Sequence, residues 1–156
     1  MFEVGQLIGK IVLVIFPLFI IYLLGVKDKK RLSIILLFVT GWILYVLPME
    51  LRPVFKTNHI VLFWLGIIPN FGCAFALPII GLRHKKMTFS EAKIKLLIYS
   101  LYTFGLLLAF ELISLIKGFG TFDWLDLGMS ICGLTTLNII FRGYKTKFKR
   151  IFEWKF

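Results

Sequence analysis

Apolar residues run in long unbroken stretches, and charged residues fall almost wholly between them. Apolar and polar positions nowhere alternate strictly, which excludes a membrane β-barrel. A hydrocarbon core of about 30 Å takes roughly 20 mostly apolar residues per helix. Five stretches approach that length, at about residues 4–26, 32–49, 60–82, 96–116 and 122–141. The pattern predicts an all-α, polytopic transmembrane helical bundle of about five spans. The first stretch reads as a retained helix. A signal peptide has its basic residues first, whereas here Met1-Phe2-Glu3 leads and Lys27 to Arg31 follow.

Charge sets the expected orientation. Basic residues cluster after the first stretch (Lys27, Lys29, Lys30, Arg31), after the third (Arg83, Lys85, Lys86, Lys93, Lys95) and after the fifth (Arg142, Lys145, Lys147, Lys149, Arg150, Lys155). Of the nineteen, only Lys10, Arg52, Lys56 and Lys117 lie elsewhere. Cytoplasmic loops carry the excess of Lys and Arg. The N-terminus is therefore expected outside and the C-terminus in the cytoplasm, as in a bacterial cytoplasmic (inner) membrane.

Composition agrees with this. The 156 residues are 59% hydrophobic and 17% aromatic, against about 45–50% apolar for an ordinary domain. Disorder and a disulfide-stapled domain are excluded, since the chain is apolar and holds two cysteines. The net charge of +11 would by itself suggest nucleic acid. Its placement between spans points instead to topology and to anionic lipid headgroups. Membrane lipids are thus the expected partners, together with a protein partner or a homo-oligomer, and nucleic acid is not.

The segment 142–156 is expected as a basic amphipathic cytoplasmic tail. Tyr144, Phe148, Ile151 and Phe152 share one helical face, and Lys145, Lys149 and Arg150 lie away from it. That pattern suits the membrane interface. Thr88 and Glu91 have the spacing of a capping box ahead of the fourth span. Pro17, Pro69 and Pro78 lie inside spans and free backbone carbonyls, which need other partners in lipid. They are either tolerated kinks or the mark of a broken helix at a binding site.

Charged groups inside spans are functional candidates. Glu111 stands near the outer end of the fourth span, and Asp123 and Asp126 open the fifth. A short turn around Lys117 to Thr121 brings them to similar depth. Ser130 follows Asp126 by one helical turn, and Asn70 can approach from the third span. Together Asn70, Glu111, Asp123, Asp126 and Ser130 form the expected ligand site, an acidic pocket in the outer half of the bundle. Asp123 has the competing role of a helix cap, and Arg52 or Lys56 is placed to neutralise part of the charge.

No catalytic set and no metal site is expected. His59 and His84 fall at opposite surfaces, and no zinc-protease, nucleophile-elbow or phosphate-loop motif occurs. No cofactor is expected. Cys73 and Cys132 read as small packing residues. Gly128 and Gly133 suit close helix contact in a bilayer.

The stretch Phe110-Glu111, a Gly-containing turn, then Thr121-Phe122-Asp123-Trp124-Leu125-Asp126 and Gly133 resembles the VanZ-like membrane proteins. Asn70, Phe75, Pro78 and Gly81 resemble their upstream Asn, Phe, Pro and Gly. The resemblance covers roughly residues 70–133. In this chain Gly120 stands near the family's Arg, Ser130 at its Asn and Ser114 at its Gln. It implies a cell-envelope context linked to glycopeptide susceptibility, without an established reaction. The leading expectation is a non-enzymatic envelope protein whose outer acidic pocket binds a lipid-linked or small polar ligand. A small accessory subunit of a larger membrane complex, and an oligomeric ion or small-molecule transporter, stand as alternatives.

Overall fold

A computed structural model describes residues 2–25, 31–83, 87–117 and 123–143, with side chains from residue 13 and none at 114–117. The expected interfacial tail (Tyr144, Lys145, Phe148, Lys149, Arg150, Phe152), His84 and the turn carrying Gly120 lie outside the described residues. Among those described there are five α-helices and no strand. They are α1 (Phe2–Leu24), α2 (Leu32–Leu51), α3 (His59–Ala76), α4 (Phe89–Lys117) and α5 (Trp124–Gly143). Helices α2, α4 and α5, and α3 with the 3₁₀ segment Leu77–Arg83 that continues it, are long and apolar enough to cross a membrane. The chain is an integral membrane protein. Its exposed apolar side chains, among them Leu101 and Ile139 at 64% each, would be a liability in water and suit lipid.

Local chemistry sets the helix starts. The Asn58 side chain accepts from the Val61 N–H at 3.1 Å and caps α3. At α4 the capping box is formed reciprocally: Thr88 N–H donates to Glu91 Oε2 at 2.7 Å, and Glu91 N–H to Thr88 Oγ1 at 3.2 Å. The third span ends differently from its sequence expectation. Regular α-helix stops at Ala76, and residues Leu77–Arg83 tighten to 3₁₀. Pro78 lies in that segment and cannot donate to a carbonyl one turn back.

Helix α3 sits between α2 and α5, because small residues line its contacts. A Cβ on Gly72 would lie 2.5 Å from the backbone nitrogen of Tyr45 in α2. A Cβ on Gly133 of α5 would lie 2.5 Å from the carbonyl oxygen of Phe71. Lipid offers no hydrophobic drive between helices, so close approach of backbones supplies the packing. Gly128 has nothing within 4 Å, so of the two glycines expected at contacts only Gly133 makes one.

Two ends of the bundle follow from chain order. One carries Arg31, Arg83, Lys93 and Arg142 and is called the basic end. The other carries Arg52, Glu111, Asp123 and Asp126 and is called the acidic end. Most of the buried core lies toward the basic end, with Leu24, Ile34, Phe38, Leu82, Leu96 and Phe141 fully enclosed. Arg31 is enclosed there too, at 2% exposure. Its Nη1 donates to the carbonyls of Leu24, Leu82 and Arg83 at 3.2–3.3 Å. These are the last carbonyls of α1 and of the 3₁₀ segment, which a helix leaves without internal donors. A cation is favoured at both termini.

Candidate functional site

The prolines inside spans decide where two polar side chains go. A proline at position i leaves the carbonyl at i−4 without its helical donor. Pro17 thus opens Leu13, and the indole Nε1 of Trp42 in α2 donates to that oxygen at 3.2 Å. Pro69 opens Leu65, and Nε of Arg52 donates to it at 3.0 Å. Arg52 Nη2 also donates to the Gly66 carbonyl at 2.8 Å. Arg52 ends α2, and its own N–H reaches the Pro48 carbonyl at 3.1 Å. The short α2–α3 connection folds it back over α3.

Arg52 held in this way lies near Asp126. The Asn70 side chain and the Arg52 charge both lie within reach of the Asp126 carboxylate. Asp126 is half-buried in the first turn of α5, where the helix dipole favours an anion. Asn70 comes from α3 and Arg52 from the end of α2, so three elements meet at one carboxylate. Two of the five guanidinium N–H groups of Arg52 bond carbonyls, and the others remain for Asp126, water or a ligand.

The other expected residues make local structural contacts. Asp123 precedes α5 and caps it, its Oδ1 accepting from the Leu125 N–H at 2.8 Å. Glu111 Oε2 accepts from the Asp123 N–H at 3.4 Å, a long bond that ties the end of α4 to the start of α5. Ser130 is 1% exposed, and its hydroxyl donates back to the Asp126 carbonyl at 2.8 Å. It points into the helix packing and braces the turn that carries Asp126. Among the described residues no group of three His, Cys, Asp or Glu side chains converges as metal ligands. Glu111, Asp123 and Asp126 thus share one end of the bundle without forming a chelate.

Among the described residues these groups can bind but show no nucleophile–base pair. Asp126 can accept from an ammonium or hydroxyl group, and Arg52 can donate to a phosphate or carboxylate. Sequence reasoning grouped Asn70, Glu111, Asp123, Asp126 and Ser130 at one end of the bundle and treated Arg52 and Lys56 only as nearby charges. The signal for Arg52 was Pro69 itself, whose freed carbonyl calls for a donor from an adjacent loop. Trp42 and Arg31 went unnoticed as donors for the same kind of reason.

A second polar link lies toward the basic end. Asn138 Nδ2 donates to Ser100 Oγ at 3.1 Å and to the Leu134 carbonyl at 2.8 Å, joining α5 to α4. Both cysteines are free, Cys73 half-buried and Cys132 exposed. Protein-family models, curated proteins and solved structures were compared with the chain, and none matches.

Proposed function

We propose that the chain is a non-enzymatic, VanZ-like membrane protein of the bacterial inner membrane, binding a lipid-linked or small polar ligand at its acidic end. The positive-inside pattern turns that end to the outside of the cell. The observation that supports the reading is the meeting of Asn70, Asp126 and Arg52 from three separate elements. In the family pattern a positive charge precedes the aspartates, and Gly120 stands there in this chain. Arg52 supplies that charge from the α2–α3 connection.

The test is native mass spectrometry of the full chain extracted gently from bacterial membranes. A stoichiometric small molecule or lipid is expected, lost in Asp126→Asn and retained in Cys132→Ala. A molecule equally retained in Asp126→Asn overturns the reading. The accessory-subunit alternative has one observation in its favour, an apolar groove of about 460 Å³ between α1 and α2, lined by Leu13, Pro17, Ile21, Trp42 and Leu47. A stoichiometric protein, kept in Asp126→Asn, is the result that alternative expects.

A further inference from the structure

A second groove, at the other end of the molecule, separates α4 from α5. It has a volume of about 460 Å³ and opens sideways, along faces exposed to lipid. Its apolar walls are Leu97, Leu101, Phe104, Ile131 and Ile139. Packing explains why it is there. Helix α4 leans on the 3₁₀ segment, where a Cβ on Gly81 would strike the Tyr99 ring at 2.5 Å. Helix α5 leans on α3 through Gly133. Between them the two helices meet at the Asn138–Ser100 bond and at the stacked rings of Phe89 and Phe141, 5.4 Å apart.

We propose that this groove holds one acyl chain of an anionic phospholipid, whose phosphate rests on Arg142 and Lys93. The proposal is independent of the acidic-end reading. Three features of the groove carry it. Arg142 lines its mouth and is exposed. Lys93, also exposed, lies one helical turn before Leu97 on the same face of α4. No acidic residue is among the lining residues. The nearest acid on α4, Glu91, is bonded to the Thr88 N–H.

Polarity also falls with depth, as it does along a lipid. Arg142 is at the mouth, Asn138 is one turn in, Thr135 follows, and Phe104 and Ile131 close the far end. From Arg142 to Ile131 the α5 axis advances about 16 Å. That is about half of a 30 Å hydrocarbon core, the depth of one leaflet. A partner helix would need an apolar wall across the full span, which this gradient does not provide.

The test offers phosphatidylglycerol and phosphatidylcholine in equal amounts to the full-length protein in mild detergent, read by native mass spectrometry. One phosphatidylglycerol is expected to stay bound in preference to phosphatidylcholine. Arg142→Gln is expected to lower that preference about fivefold. Thr135→Trp fills the groove, keeps every charge and is expected to release the lipid. Ile139→Trp, at another exposed lining position, is expected to do the same. Phosphatidylglycerol retained by both tryptophan variants would place the lipid on the basic tail and overturn the proposal. Equal retention of the two lipids by the wild-type chain would overturn it as well.

Discussion

Arg52 donates from Nε to the Leu65 carbonyl at 3.0 Å, and that carbonyl is open because Pro69 lies four residues further on. The bond ties the end of α2 to a kinkable turn of α3. It also fixes the guanidinium beside Asp126. One residue thus satisfies the backbone and shapes the polar cluster.

Removing that donor should cost stability in a way that depends on the proline. Arg52→Ala is expected to destabilise the bundle by about 1–3 kcal/mol, from the loss of hydrogen bonds between a charged group and the part-buried Leu65 and exposed Gly66 carbonyls. In a Pro69→Ala background, the introduced alanine supplies a helical N–H to the Leu65 carbonyl. The same Arg52 change should then cost clearly less. A double-mutant cycle on unfolding in mixed micelles measures the coupling. Equal costs in the two backgrounds would show that the bond contributes nothing.

Trp42 plays the matching role for Pro17, with a tilted ring contact to Phe16 at 5.2 Å and a stack on Phe38 at 6.0 Å as well. Trp42→Phe retains most of the stacking and loses the N–H. A loss of about 1 kcal/mol is expected, and Pro17→Ala should diminish it. Unfolding temperature is the readout, and an unchanged value in Trp42→Phe would contradict the assignment.

Glycine positions separate sharply into two groups. Gly72→Ala drives a methyl into the backbone at Tyr45 and Gly41, so α2 and α3 must part. Loss of folded protein, or destabilisation by several kcal/mol, is expected from overpacking at backbone that cannot move aside. Gly105→Ala and Gly128→Ala meet nothing within 4 Å. Each should be neutral or stabilising by up to about 1 kcal/mol through helix propensity. Size-exclusion yield and unfolding temperature distinguish the groups.

The α4 capping box gives a smaller, local effect. Thr88→Ala removes the acceptor for the Glu91 N–H and is expected to cost about 1 kcal/mol. Thr88→Ser keeps the hydroxyl and should restore most of it. If alanine and serine behave alike in thermal unfolding, the cap is not a determinant of α4.

Much of this was legible from the chain, for physical reasons. Apolar runs bounded by charges mark helices in lipid, so an all-α arrangement of five helices followed from the pattern, although α4 begins at Phe89, seven residues before the apolar run alone places it. Glu111, Asp123 and Asp126 stood out because ionisable groups are costly there, and helix direction alone set Asn70 at the same end. What stayed hidden depended on which atom a side chain reaches. Ser130 has the spacing of a site residue, yet its hydroxyl turns back to Asp126. Arg31 counts as one more basic loop residue until three carbonyls are seen to converge on it. Gly128 and Gly133 are equivalent as letters, and only the positions of α3 and α4 tell them apart.

The most direct test of the central claim asks on which side of the membrane the Arg52–Asp126 cluster stands. Cysteine is placed at Lys56, exposed beside Arg52, or at Lys93, exposed at the opposite end, in a chain with Cys73 and Cys132 replaced by alanine. A membrane-impermeant maleimide is then applied to intact cells. The account predicts labelling of Lys56→Cys in intact cells, and of Lys93→Cys only after permeabilisation. The reverse pattern, or labelling of both in intact cells, would contradict an outward-facing ligand site.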